Sequence, residues 1–272
     1  MRNAAAAAVP TDDAKSTYPT DVAPGSDIAA GRGSVGARER RAAPVQQSVP
    51  AFAAHAAAGA SGRTPTGDFN RGVAAMQKLQ FWIEYGSTYT YLSVARIGRL
   101  AATQGVTVEW QPFFLMPILA EQGMNLGPFL PYPKKMEYMW RDIERRAARV
   151  GVPYSRPSTY PVNSLLTARV ACIAAAEGWC QPFTEEVFAL HWTGNRLIGT
   201  EDNLDSALSS LGQDPVAIRA RAQAPEGKEA LKRQTETAES LKIFGAPSFV
   251  AAGELFWGDD RLEEAIEWAA SR

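Results

Sequence analysis

Ser87 stands where a short apolar run gives way to a helical pattern, in Glu84-Tyr85-Gly86-Ser87-Thr88-Tyr89. A hydroxyl at such a junction has two uses. It can cap the helix by accepting a backbone N–H, or it can donate to a thiolate or carboxylate held at the helix's free N–H groups and positive dipole end. The flanks are not the G-x-S-x-G of a nucleophile elbow, and His191 is the only histidine after residue 75, so a serine hydrolase is not supported. Gly245-Ala246-Pro247-Ser248 puts a proline directly before a strand. In trans it simply breaks the preceding helix; in cis it turns the Ala246 backbone outward and leaves its N–H and C=O to a ligand. In Gly258-Asp259-Asp260-Arg261, either Asp260 caps the last helix and Asp259 is solvated, or the two carboxylates hold an ammonium group. Cys172 and Cys180 do not form a C-x-x-C pair and read as structural free thiols. His191, beside Trp192, reads as structural, and Lys134-Lys135 with Arg145-Arg146 as a solvated helical face.

The elements that must position these residues follow from periodicity. Phe81 to Tyr85 is an apolar, aromatic-rich strand. Tyr91, Val94, Ala95 and Gly98 then recur at one-face helical spacing, Gly105 ends that helix, and Val106 to Trp110 alternates as a second strand. This βαβ unit predicts a parallel strand pair. Helices follow over 136–150, 164–176, 183–192, 202–211, 215–223 and 226–244. Ser248-Phe249-Val250 and Glu254 to Trp257 form a hairpin around Ala252-Gly253, and Asp260 with Glu263 has the capping-box spacing of a final helix. The order β-α-β, helices, β-β-α predicts one α/β domain with a helical insertion at about residues 120–240.

Composition bounds the chemistry. The chain has 272 residues, a formal net charge of −1, two histidines and two cysteines. That excludes zinc fingers, a disulfide scaffold and a His-rich metal centre. Near-neutral charge argues against a nucleic-acid partner, and no apolar run reaches the roughly 20 residues of a membrane span. Residues 1–75 carry 21 Ala, eight Gly and six Pro but only nine Leu, Ile, Val or Phe, and are expected to be a disordered extension. Met76, just ahead of the first strand, is an alternative start, so the expected domain spans 76–272.

Read together, these segments resemble one family. Residues 80–268 are similar to the 2-hydroxychromene-2-carboxylate isomerases, relatives of the kappa-class glutathione transferases in the DsbA branch of the thioredoxin fold. The family's S-P-Y-S-[YW]-L turn corresponds to Ser87-Thr88-Tyr89-Thr90-Tyr91-Leu92, with Thr88 in place of proline. Its Gly-Asn loop corresponds to Gly123-Met124-Asn125, and its R-D-x-x-R helix to Arg141-Asp142-Ile143-Glu144-Arg145. Pro161-Val162-Asn163-Ser164-Leu165 with Ala168-Arg169 matches the P-x-N-[ST]-L segment. Gly245-Ala246-Pro247 and Phe256 to Arg261 match G-x-P and F-x-G-x-D-R.

The resemblance implies a thioredoxin-like fold and a glutathione site. In it, Ser87 is the catalytic residue, donating a hydrogen bond to the glutathione sulfur. Thr88 and Tyr89 of the same turn, Asn125, and the Ala246-Pro247 backbone contact the tripeptide, and Asp259 and Asp260 take its γ-glutamyl end. The implied reaction is the glutathione-dependent cis/trans isomerisation of a small aromatic substrate, by a cytoplasmic homodimer. Tyr89, Trp140 and Trp192 are possible walls of an aromatic site and equally possible core. A kappa-like transferase and a non-catalytic thioredoxin-like binding protein are the alternatives. A dithiol oxidoreductase is disfavoured, because Ser87 and Thr90 occupy the two positions of a C-x-x-C.

Overall fold

A computed structural model describes residues 77–125 and 127–272. These lie in the second of two units into which the chain divides, Met1–Thr66 and Gly67–Arg272. The expected extension over 1–75 and the start at Met76 fall outside the described residues.

Strand β1 (Gln77–Ile83) pairs in parallel with β2 (Val106–Pro112), through helix α1 (Thr88–Thr103). The chain then forms α2 (Met116–Glu121), α3 (Pro133–Val150), α4 (Leu165–Glu177), α5 (Cys180–Gly194), α6 (Glu201–Ser210), α7 (Pro215–Gln223) and α8 (Pro225–Ser240). It returns as an antiparallel hairpin, β3 (Ser248–Ala251) and β4 (Glu254–Trp257), and ends with a single 3-10 turn (Asp259–Arg261) and α9 (Leu262–Ala270). Strand β3 pairs antiparallel with β1, so the sheet order is β2-β1-β3-β4. This mixed α/β arrangement is the predicted architecture, with the insertion running from α2 to α8.

Side chains of β1 point alternately to the two faces. Leu79, Phe81 and Ile83 are fully buried in the main core with α1 and α9. Phe81 stacks on Phe249 of β3, ring centroids 5.2 Å apart. Trp82 faces the other way, into a smaller core with Phe113, Ile118 of α2 and Ala238 of α8. The sheet is therefore covered on both sides, and the ends of β1 and β3 are held between the layers.

The insertion joins the main core through aromatic rings. Tyr91 of α1 stacks on Trp192 of α5 at 5.4 Å, and Tyr85 on Phe188 at 5.5 Å. Trp140 packs against both Tyr160 and Trp192. Trp140 and Trp192 are thus core, not the walls of an open site.

Several boundaries differ from the periodic reading. Strand β1 ends at Ile83, leaving Glu84 and Tyr85 in the turn. Helix α2 was not expected: six residues are too few to show a helical period. Helix α8 stops at Ser240, and Lys242 takes a positive φ of 60°, which redirects the chain before Phe244. Asp260 does not cap the last helix. It lies inside the 3-10 turn, and α9 begins at Leu262 with Arg261 at the cap position and no side-chain cap bond.

Candidate functional site

The turn after β1 brings Ser87 to the N-terminus of α1 in extended geometry, φ −81° and ψ 123°. Its side chain makes no cap bond. Instead the hydroxyl donates to the carbonyl oxygen of Ala246, 3.0 Å away and 159 residues along the chain. Two segments that sequence placed separately are therefore joined at one point. The Ala246-Pro247 bond is cis, but the Ala246 carbonyl is not left free, because Ser87 occupies it. No hydrogen bond to the Ala246 N–H occurs among the described residues.

Beneath Ser87 lies a group the sequence reading missed. Glu84 is buried at the end of β1. Its carboxylate accepts the Ser164 hydroxyl, and the backbone N–H groups of Gly86 and Ser87 turn toward it. Burial raises its pKa above the usual carboxylate range, while those three donors pull the other way. Gly86 is needed here, since a Cβ on it would sit 3.1 Å from a Glu84 carboxylate oxygen. An acidic residue directly after an apolar strand was the available signal, but on its own it reads as a solvated strand end.

The remaining predicted residues separate. Thr88 is buried, and its hydroxyl donates to the Met139 sulfur at 3.4 Å, so its side chain turns into the fold. The Tyr89 hydroxyl donates to Asp142 at 3.0 Å, and the Arg146 guanidinium lies 5.7 Å from its ring centre. Burial, with the Asp142 charge second, raises the phenol pKa. Asn125 is exposed in the turn after α2. That turn lies beside the Ala246 segment: Gln122 donates to the Phe244 carbonyl at 3.3 Å, and Met124 and Ala246 pack against the same small core.

Asp259 is neither solvated nor open to an ammonium ligand. It is 2% exposed and its carboxylate is fully engaged. Arg96 meets one oxygen at 2.7 Å, together with Ser93 at 3.0 Å, and Arg146 meets the other at 2.6 Å. Arg146 is accordingly part of an ion cluster and not of a solvated face, whereas Arg145 is exposed and pairs with Asp142. Neighbouring charges of one sign in a sequence do not reveal which of them a distant carboxylate will claim. Asp260, in contrast, is exposed, and its nearest cation is Arg261 at 3.7 Å.

Beside Ala246 lies an exposed aromatic pair, Phe244 and Trp257, with ring centres 4.8 Å apart. A Cβ on Gly245 would sit 2.4 Å from the Trp257 indole nitrogen, so glycine is required for this contact.

The other nucleophilic groups lie elsewhere. Cys172 and Cys180 are free, and burial raises both thiols to about 12. His191 is buried, accepts the Ile198 N–H on Nδ1, and is lowered by burial to about 4. Among the described residues no acidic, histidine or cysteine cluster suits a metal, and no helix is long and apolar enough to cross a membrane.

Residues 78–267 match the family described as DSBA-like thioredoxin domain. Over 186 residues the chain is 28% identical to a 2-hydroxychromene-2-carboxylate isomerase of Pseudomonas putida, covering 68% of this chain and 90% of the relative. It is 23% identical to glutathione S-transferase kappa 2 of Caenorhabditis elegans, covering 71% and 91%. A solved 2-hydroxychromene-2-carboxylate isomerase structure superposes with a TM-score of 0.62 at 27% identity, over 68% of this chain and 90% of the other.

Proposed function

The chain belongs to the DSBA-like thioredoxin domain family, and from that premise we propose that it is a glutathione-dependent isomerase. Its substrate in this reading is 2-hydroxychromene-2-carboxylate, or a related intermediate of aromatic degradation, interconverted with the open trans-o-hydroxybenzylidenepyruvate form. Isomerase relatives support an enzyme of this kind. The observation that carries the reading is the junction of Ser87 with Ala246 at the N-terminus of α1. Ser87, with Thr90 three residues on, stands where a dithiol enzyme carries its cysteines, and the chain's own two thiols lie elsewhere, on α4 and at the start of α5. A site of this shape without a thiol suits a thiol brought by the cofactor.

The donor set fits such a group. The Ser87 hydroxyl, the first N–H groups of α1 and the Ala246 N–H are all donors, and donors at a helix N-terminus favour thiolate over thiol. Bound there, glutathione supplies a thiol able to add reversibly to a conjugated double bond. Ser87 turns its proton from the Ala246 carbonyl to the sulfur. Asn125, in the adjoining turn, and the Ala246 backbone bind the peptide portion. Asp260 takes the γ-glutamyl ammonium, without Asp259, whose charge is already spent on Arg96 and Arg146. Tyr89, fixed by Asp142, borders the turn on its α3 side. Positioning two ligands and stabilising developing charge is then most of what the protein must do. The homodimer and cytoplasmic placement belong to the same proposal.

The test follows the absorbance of 2-hydroxychromene-2-carboxylate with glutathione in catalytic amount. Isomerisation that requires glutathione and leaves total thiol unchanged is expected. Stoichiometric thiol loss identifies a kappa-like transferase instead. No glutathione binding by calorimetry refutes both and leaves a thioredoxin-like binding protein. Ser87→Ala is expected to raise the bound thiol's pKa, read from thiolate ultraviolet absorbance, and to slow isomerisation about tenfold to a hundredfold, the worth of one hydrogen bond to a charged atom.

A further inference from the structure

Two carboxylates are buried among the described residues, Asp259 and Glu84. Asp259 is neutralised by Arg96 and Arg146. Glu84 has no cation beside it among the described residues. The groups that turn toward it, the Ser164 hydroxyl and the N–H groups of Gly86 and Ser87, are all neutral. A buried carboxylate that no cation meets bears a desolvation cost.

Its placement shows what offsets part of that cost. Ser164 stands at the N-terminus of α4 but makes no cap bond there, and gives its hydroxyl to Glu84 instead. Gly86 and Ser87 lead directly into α1. The carboxylate thus lies at the N-terminal ends of two helices, whose positive dipole ends favour its charged form. Backbone N–H groups can only donate, so a protonated Glu84 would serve them less well than an ionised one. The space is kept by Gly86, on which a Cβ would meet both carboxylate oxygens, at 3.1 and 3.4 Å. The α1 terminus that would receive an anion at Ser87 therefore already holds one of the chain's own, three residues earlier.

We propose that Glu84 is a resident counter-charge that limits how tightly an anion is held at Ser87, so that a thiolate bound there can leave again. The proposal rests on the glutathione reading above for the identity of that thiolate. An attacking thiol serves best when its pKa lies near the ambient pH. The Ser87 hydroxyl and the α1 dipole both lower it, and a like charge within the same turn raises it. No cation cancels the field of Glu84 at the site, whereas that of Asp259 is cancelled by its arginines. Glu84 is a positioning residue in this role: it acts through the field at the α1 terminus, without touching the ligand.

Calorimetry with two ligands tests the proposal. Glutathione sulfonate carries a permanent negative charge at the sulfur, and S-methylglutathione carries none there. The peptide portion is common to both, so the ratio of their affinities reads the charge at the sulfur position. In Glu84→Gln the ratio is expected to move about tenfold toward the sulfonate, the size of a like-charge repulsion removed from a partly buried site. A loss of folding support alone would weaken both ligands together. In the wild-type chain the ratio should also move toward the sulfonate as pH falls from about 8.5 to about 4.5 and Glu84 takes up a proton. Tyr85, the other titratable group of the turn, stays protonated over that range, and no charged group of α1 or α4 acts on Glu84. An unmoved ratio in folded Glu84→Gln overturns the role of Glu84 and leaves the glutathione site standing. A flat wild-type ratio does the same, even where the variant does not fold. If neither ligand binds the wild-type chain, the glutathione reading fails and the counter-charge with it.

Discussion

Replacing Asp259 by Asn separates a structural carboxylate from a ligand-binding one. Asp259 is buried and holds Arg96, itself 7% exposed at the side chain, and Arg146, 28% exposed. Removing one partner of a buried ion pair typically costs about 3–5 kcal/mol, because the other charge is left uncompensated. Three features place this case at the low end. Arg96 keeps Glu263 and the Leu92 carbonyl, and Arg146 can recover water. Asn also retains one acceptor oxygen. A loss of about 3 kcal/mol is expected, or a drop in Tm of about 6–12 °C for a domain of this size. Thermal unfolding followed by circular dichroism at neutral pH measures it. Asp260→Asn is the control, since an exposed carboxylate should change stability by less than about 0.5 kcal/mol. If Asp259→Asn shifts Tm by less than about 2 °C and instead weakens glutathione binding, the carboxylate serves a ligand and the ion cluster is not what holds the turn before α9.

Further outcomes follow from other contacts. His191 is lowered to about 4 from 6.5, so the native state resists its protonation. That contribution is complete above pH 6.5 and is lost as pH falls toward 4, by about 3 kcal/mol in all. Denaturant titrations at stepped pH should show the decline, and His191→Gln should flatten it. Glu84→Gln leaves one acceptor oxygen where two now serve the Ser164 hydroxyl and the N–H groups of Gly86 and Ser87, and should cost about 1–3 kcal/mol. Because burial raises the Glu84 pKa, the wild-type chain loses stability as pH rises above 4.5, so the variant's deficit should narrow with increasing pH; a deficit that widens contradicts the assigned environment. Gly199→Ala should cost at least about 2 kcal/mol from backbone strain and overlap with the Asn163 carbonyl, and a variant as stable as wild type would show that the α5–α6 loop is not pressed on the segment that leads into α4.

The local pattern was enough to find both strands of the βαβ unit, the closing hairpin and most of the helices, because each buries a face whose period shows in sequence. It also isolated Ser87, Ala246-Pro247 and the Asp259-Asp260 pair as polar or conformationally special points at element ends. Helix α2 and the 3-10 turn at Asp259 were beyond it, since six and three residues carry no readable period.

What a side chain does once it arrives was decided by the tertiary structure. Ser87 is flanked by its own helix, which alone would make it a cap, yet it spends its proton on a carbonyl 159 residues away. Asp259 and Asp260 are adjacent in sequence. One is enclosed by α1, α3 and α9 and neutralised by two arginines, while the other remains in solvent. Glu84 became a buried support for the α1 terminus only because α4 delivers the Ser164 hydroxyl to it. The physical reason is the same in each case. Sequence fixes hydrophobic period and the kinds of polar group present, but a hydrogen bond or ion pair belongs to whichever partner long-range packing brings within about 3 Å.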